Sequence, residues 1–236
     1  MKLKHLLLAV FLIPIVNQEI NAQNWSEFAN TGYYAKANLE LKLHSKAENR
    51  VVFMGNSITE GWVNIRPEFF ENRDYINRGI GGQTTPQMLL RFRPDVVDLN
   101  PKVVLILAGT NDIAGNTGFT SLETIIGNIK SMAEIANTNG IKVIISSILP
   151  ALEYLWKPGL NPAPKIVSIN KELKMYAEKN NFIYLDYFSA MVDDNYGLKV
   201  PDYTAADDLV HPNKTGYLVM EKLAEKAIEK ALSRLK

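Results

Sequence analysis

Five short apolar runs punctuate the chain, and between them the apolar residues recur at helical spacing. The first run, residues 51–54, is β-branched and aromatic and stops at Gly55-Asn56, which predicts a buried strand. Tyr75-Ile76-Asn77 predicts a second strand that runs into Gly79-Ile80-Gly81-Gly82, where three glycines in four positions serve backbone geometry or close approach. Residues 102–108 and 142–148 are almost continuously apolar, the pattern of strands covered on both faces, and residues 182–185 predict a fifth. Helices are expected over residues 25–43, a short piece at 67–70, a stretch starting near Pro86 behind a cap at Thr84 or Thr85, and then 121–138, 163–180 and 214–235. Residues 150–164 read as a proline-rich loop, and the stretch from Asp186 to Pro212 as irregular. Strands that alternate with helices in this way need a crossover for each parallel pairing, so the chain predicts an α/β fold. Its five-stranded parallel sheet carries helices on both faces. In such sheets, sites form beyond the carboxyl ends of the strands.

Three strand ends carry candidate chemistry: Gly55-Asn56-Ser57, Gly81-Gly82 and Gly109-Thr110-Asn111. Ser57 falls where a helix begins, beside unpaired backbone N–H groups, a position that suits either a nucleophile or a simple helix cap. A serine nucleophile needs a base, and histidine is the usual one because its ordinary titration range is near neutrality. Of the three histidines, His5 lies in the N-terminal segment and His44 in a polar turn with an expected surface role, which leaves His211 in Asp207-Asp208-Leu209-Val210-His211-Pro212-Asn213. Asp208, three residues earlier, can reach Nδ1–H of His211 and leave Nε2 free for the serine proton; Asp207 is the rival for that role. The N–H groups of Ser57 and Gly82 and the amide of Asn111 are candidate donors to a tetrahedral oxyanion. Asp112 and Asp186 also follow strands, and both are expected to hold loops by accepting N–H bonds. Trp62, Tyr154 and Trp156 either stack on a substrate or pack as ordinary large side chains.

Composition narrows the setting. Apolar residues at 47% and charged residues at 22% of 236 are ordinary for a globular protein, and this length suits one domain over residues 23–236. Residues 1–22 have a basic start, an apolar stretch from Leu6 to Val16 and a small-residue site at Ala22, so they are expected to be a cleaved signal peptide, with a periplasmic or secreted product. The stretch is short of the ~20 residues of a spanning helix, and no later one is long enough. Without this segment, which holds Lys2, Lys4 and Glu19, the 26 basic and 25 acidic side chains come into balance, and no basic field exists to attract nucleic acid. The chain has no cysteine, which excludes disulfides, thiolate metal sites and a thiol nucleophile. No metal or nucleotide motif is present, and no cofactor is expected.

Taken together, the blocks at residues 55–58, 77–82, 109–112 and 208–212 resemble those of the SGNH/GDSL hydrolases, serine esterases on a flavodoxin-like three-layer α/β sandwich. The resemblance implies Ser57 as nucleophile, Asp208 and His211 as its partners, and Ser57, Gly82 and Asn111 as oxyanion donors. Asn56 departs from the family pattern, which has aspartate there. The likeness is nearest to the branch with platelet-activating-factor acetylhydrolase-like and carbohydrate acetylesterase members, and so implies a short-chain, O-acetyl ester substrate, on a small ester or an acetylated glycan. Lysophospholipid or thioester hydrolysis and non-catalytic glycan binding are the alternatives.

Overall fold

The computed structural model describes residues 24–44 and 48–235, with the side chain of His44 outside the described set. The expected signal peptide, and the exposure expected of His44, therefore lie outside the described residues. The five apolar runs form strands β1 (Val51–Gly55), β2 (Tyr75–Gly79), β3 (Val103–Leu107), β4 (Lys142–Ser146) and β5 (Ile183–Leu185). They pair in the order β2-β1-β3-β4-β5, every pair parallel, as in flavodoxin-like sheets. All residues of β1 and β3 are buried, which is why both read as continuous apolar runs with no alternation.

The helices follow the crossovers. The element expected over residues 25–43 is two helices, α1 (Trp25–Ala29) and α2 (Ala35–His44), because Asn30 takes a left-handed conformation and its N–H closes α1 on Glu27 and Ser26 carbonyls. Next come α3 (Ser57–Ile65), a 3₁₀ turn at Pro67–Phe69, and α4 (Thr85–Asp95). At the start of α4, Gln87 Oε1 accepts the Thr84 N–H at 2.9 Å, which makes Thr84 the cap. The chain continues through α5 (Thr110–Ile113), α6 (Leu122–Thr138), α7 (Pro162–Lys179), α8 (Tyr187–Met191) and α9 (Lys214–Ser233). Helix α8 lies inside the stretch read as irregular; at five residues it is too short for periodicity to reveal, and its signal was Asp186, whose carboxylate caps Ser189 N–H at 2.9 Å.

Helices α4, α6 and α7 pack together on one face of the sheet, and α3 and α9 lie on the other. The second pairing places the chemistry. Trp62 on α3 stacks on Phe69 with centroids 5.0 Å apart and tilts against Tyr217 of α9. Tyr217 Oη donates to the Ile58 carbonyl at 2.8 Å, and Glu221 of α9 accepts from Trp62 Nε1 at 3.3 Å and Arg66 Nε at 2.9 Å. Since α3 begins at Ser57 and α9 begins just after His211-Pro212-Asn213, their side-by-side packing brings the two candidate residues to the same end of the sheet. Asn213 supports this by capping α9 at Gly216 N–H and by donating its own N–H to the Tyr203 carbonyl.

Candidate active site

Ser57 is not the cap of α3. Asn56 is, its Oδ1 accepting the Ile58 N–H at 3.0 Å, so the residue that departs from the family pattern still supplies the acceptor. Ser57 occupies the first helical position, and its half-buried Oγ lies 2.9 Å from His211 Nε2. On the far side of the imidazole, Nδ1 is 2.9 Å from both carboxylate oxygens of Asp208. The carboxylate is fixed in turn: Oδ1 accepts the N–H groups of Val210 at 3.1 Å and His211 at 2.9 Å. Leu209 turns through a left-handed φ of 66° to close that loop, and Thr204 Oγ1 donates to the His211 carbonyl at 2.8 Å. A carboxylate gripping Nδ1–H sets the tautomer that leaves Nε2 as acceptor toward the serine hydroxyl. Asp207, the sequence rival, points to solvent.

The glycine turn after β2 sits against this serine. A Cβ added at Gly79 would fall 2.1 Å from Glu60 N, so only glycine lets β2 end flush with α3. One added at Gly81 would lie 3.9 Å from Ser57 Cβ. Gly82 follows at φ +73°, exposed, with its carbonyl held by Asn116 Nδ2 at 3.1 Å. Asn111 joins the third strand end to the turn by donating from Nδ2 to the Gln83 carbonyl at 3.0 Å, which leaves the second amide proton available. The N–H groups of Ser57 and Gly82 have no acceptor among the described residues.

Two aspartates behave as expected. Asp186 caps α8, and buried Asp112 accepts from Thr85 N at 3.0 Å and Thr85 Oγ1 at 2.6 Å, anchoring the start of α4. Burial lifts the Asp112 carboxyl from its ordinary 3.8 to about 6, against the opposing pull of the Thr85 bonds. A folded-state value above the unfolded one means the native protein binds the extra proton, so stability through this group is full below about 3.8 and falls as pH rises to about 6. Comparing melting temperatures of wild type and Asp112→Asn across that window checks this. The wild type should lose more stability than the variant as pH rises, and parallel curves would contradict it.

The aromatic candidates need correction. Trp62 is 1% exposed and Tyr154 0%, so neither presents a face to a substrate. Trp62 lies i+4 from buried Ile58 on the inward side of α3, and Tyr154 stacks beneath Trp156 at 5.0 Å. Only Trp156, 48% exposed, retains a surface.

Arg91 was missed. It is wholly buried on α4 and donates to the Gly55 and Arg78 carbonyls, each at 3.0 Å, to Gln83 Oε1 at 2.5 Å and to Asp95 Oδ2 at 2.9 Å. It therefore ties the end of β1 that leads into Ser57 to the end of β2 and to Gln83, the residue Asn111 holds. Burial pulls its guanidinium below the ordinary value, and Asp95 opposes that pull. Its sequence signal was an Arg/Asp pair at i, i+4 on the same face as Met88 and Phe92.

Residues 53–219 match the model of the GDSL-like Lipase/Acylhydrolase family. A GDSL-like lipase from Bacteroides thetaiotaomicron is 50% identical, with a TM-score of 0.82, covering 86% of this chain and 99% of that one. The human platelet-activating factor acetylhydrolase IB subunit alpha2 is 30% identical over 199 residues, 78% of this chain and 81% of its own length. An acetyl-xylooligosaccharide esterase from Geobacillus, 19% identical with a TM-score of 0.61 and covering 77% of this chain and 94% of that one, shares the fold. The match to the Bacillus subtilis lipoprotein YqeF, at 37% identity, spans 44% of this chain and about half of that protein, 49%.

Proposed function

We propose, for a chain that belongs to the GDSL-like lipase/acylhydrolase family and is a carboxylic ester hydrolase, that it removes short acyl groups, acetyl foremost, from carbohydrate esters outside the cytoplasm. The observation that carries the chemistry is the unbroken line from Ser57 Oγ through His211 to the Asp208 carboxylate, with 2.9 Å at each link. In this reading His211 Nε2 takes the Ser57 proton as Oγ attacks the ester carbonyl, and the carbonyl oxygen gathers negative charge as the tetrahedral intermediate forms. The N–H groups of Ser57 and Gly82 and the free amide proton of Asn111 are the donors to that oxygen. Collapse expels the alcohol, which receives its proton from His211. Water, deprotonated by the same imidazole, then attacks the acyl-Ser57 ester and restores the serine. Asp208 stays ionised throughout and balances the transient imidazolium.

Acetyl is the acyl group in the names of both the human relative, 30% identical, and the Geobacillus esterase, which is alike in fold. The choice of an extracytoplasmic product rests on residues 1–22. Hydrolysis of p-nitrophenyl acetate, butyrate, octanoate and palmitate, with release of acetate from acetylated xylo-oligosaccharides, tests the reading. The kcat/KM should fall with each lengthening of the acyl chain, and acetate should be released from the sugar. A maximum at octanoate or palmitate would transfer the substrate to lysophospholipid or thioester acyl chains.

A further inference from the structure

Beside the site, along the outer edge of β2, a cavity of about 710 Å³ opens between α2 and α3. That volume is within the ~300–1,000 Å³ of small-ligand sites. Tyr33, Tyr34, Phe70 and Tyr75 line it, with Glu40 and Asn64 also on its walls. It does not open onto Ser57 Oγ directly. The wall between them is Glu60, whose carboxylate accepts Tyr33 Oη at 2.8 Å and Gly81 N–H at 2.9 Å, and Gly81 is the residue whose Cβ would lie 3.9 Å from Ser57 Cβ.

The lining selects among occupants. A peptide adding a strand to β2 needs free edge groups. Yet the Gly79 N–H is bound by Asn77 Oδ1 at 2.9 Å, and the Asn77 carbonyl by Arg78 Nη1 at 2.6 Å. A cation would seek open aromatic faces beside a carboxylate. Arg78 already lies over the Tyr34 ring at 4.5 Å and Arg73 over Tyr75 at 5.4 Å, and Glu60 is engaged by its two donors, so a cation would find only Tyr33 and Glu40 of the lining, a purchase that the choline control below measures. An anion would meet Glu40 and Glu60 against the single guanidinium of Arg78. What remains on offer is ring surface, chiefly that of Tyr33 at 52% exposure, together with Glu40 and Asn64, whose side chains bond no other described residue. Flat apolar faces beside unpartnered planar acceptors and donors suit a neutral, hydroxyl-rich ring, whose C–H faces lie on the aromatics while its hydroxyls bond the carboxylate and amide.

The geometry points to this cleft as a binding site for a neutral oligosaccharide, which holds the sugar chain while an acetylated unit beyond Glu60 reaches Ser57. The inference rests on the esterase reading above for its purpose, though binding itself is measured without turnover. The cleft is filled by Asn64→Trp and, as a second variant, by Ala37→Trp at a lining residue of α2, both outside the catalytic line. Titration calorimetry follows the binding of xylohexaose, cellohexaose and mannohexaose to wild type, to each variant and, as a charged control, of choline to wild type. The expected result is heat of binding with at least one hexasaccharide, weakened at least tenfold by both substitutions. kcat/KM on acetylated xylo-oligosaccharides should fall in parallel, while p-nitrophenyl acetate is cleaved at the wild-type rate. Binding of no hexasaccharide, binding insensitive to both variants, or binding of choline alone would overturn it. Failure of the wild type to cleave p-nitrophenyl acetate would instead strike the esterase reading and leave the binding result standing.

Discussion

Ser57→Ala is expected to give a protein that melts like wild type and hydrolyses p-nitrophenyl acetate on the order of 10⁶-fold more slowly. The size follows from how such side chains act: nucleophile and base work as one unit, so loss of either forfeits nearly all that the unit contributes. The fold should tolerate the change because Ser57 is not the cap. Asn56 supplies the bond to Ile58 N–H, Ser57 Oγ bonds only His211 among the described residues, and alanine at a first helical position is acceptable. Circular dichroism melting and initial rates on one preparation separate loss of fold from loss of chemistry. Turnover within tenfold of wild type in the folded variant would remove Ser57 from the reaction.

Asp208→Asn carries the second large effect, about 10⁴-fold in kcat with little change in KM. The geometry says how. The oxygen at the Oδ1 position must go on accepting the Val210 and His211 N–H groups, so the amide nitrogen is forced to the Oδ2 position, 2.9 Å from Nδ1. An NH₂ there sets a donor against Nδ1 in competition with Oδ1, which is also 2.9 Å away; it favours the tautomer with the ring proton on Nε2, which can no longer accept from Ser57, and the neutral amide no longer balances the imidazolium. Asp207→Asn, on an exposed side chain, should change kcat less than threefold. Steady-state kinetics of the two variants decide the assignment, and a larger loss for Asp207→Asn would reverse it.

Much of this arrangement was legible in the residues because it depends on local chemistry. Short apolar runs, rich in β-branched and aromatic residues and the first three of them broken by glycine, marked all five strands to within two residues at their ends. The carboxylate three residues before His211 lies within one tight turn, a relation that spacing alone conveys. The misreadings have two physical causes. The break at Asn30, φ 51°, is local, and its signal was the Asn30-Thr31-Gly32 stretch, passed over because asparagine also occurs within helices; the others depend on neighbours distant in sequence. Trp62 read as a possible substrate platform because its partners, Phe69, Tyr217 and Glu221, are assembled only by the packing of α3 on α9. Arg91 was passed over because a charged residue in a helix is usually solvated. Here its bonds reach the ends of two strands and Gln83, and breaking such a buried pair costs about 3–5 kcal/mol.

The central claim, that Ser57 is the nucleophile primed by His211, is tested most directly by covalent labelling with diethyl p-nitrophenyl phosphate, followed by intact mass and peptide mapping. The predicted result is one diethylphosphoryl group per chain, on Ser57, gained in step with loss of esterase activity, absent from Ser57→Ala and strongly slowed in His211→Gln. A label on another residue, or full activity in protein whose Ser57 is completely labelled, would contradict it.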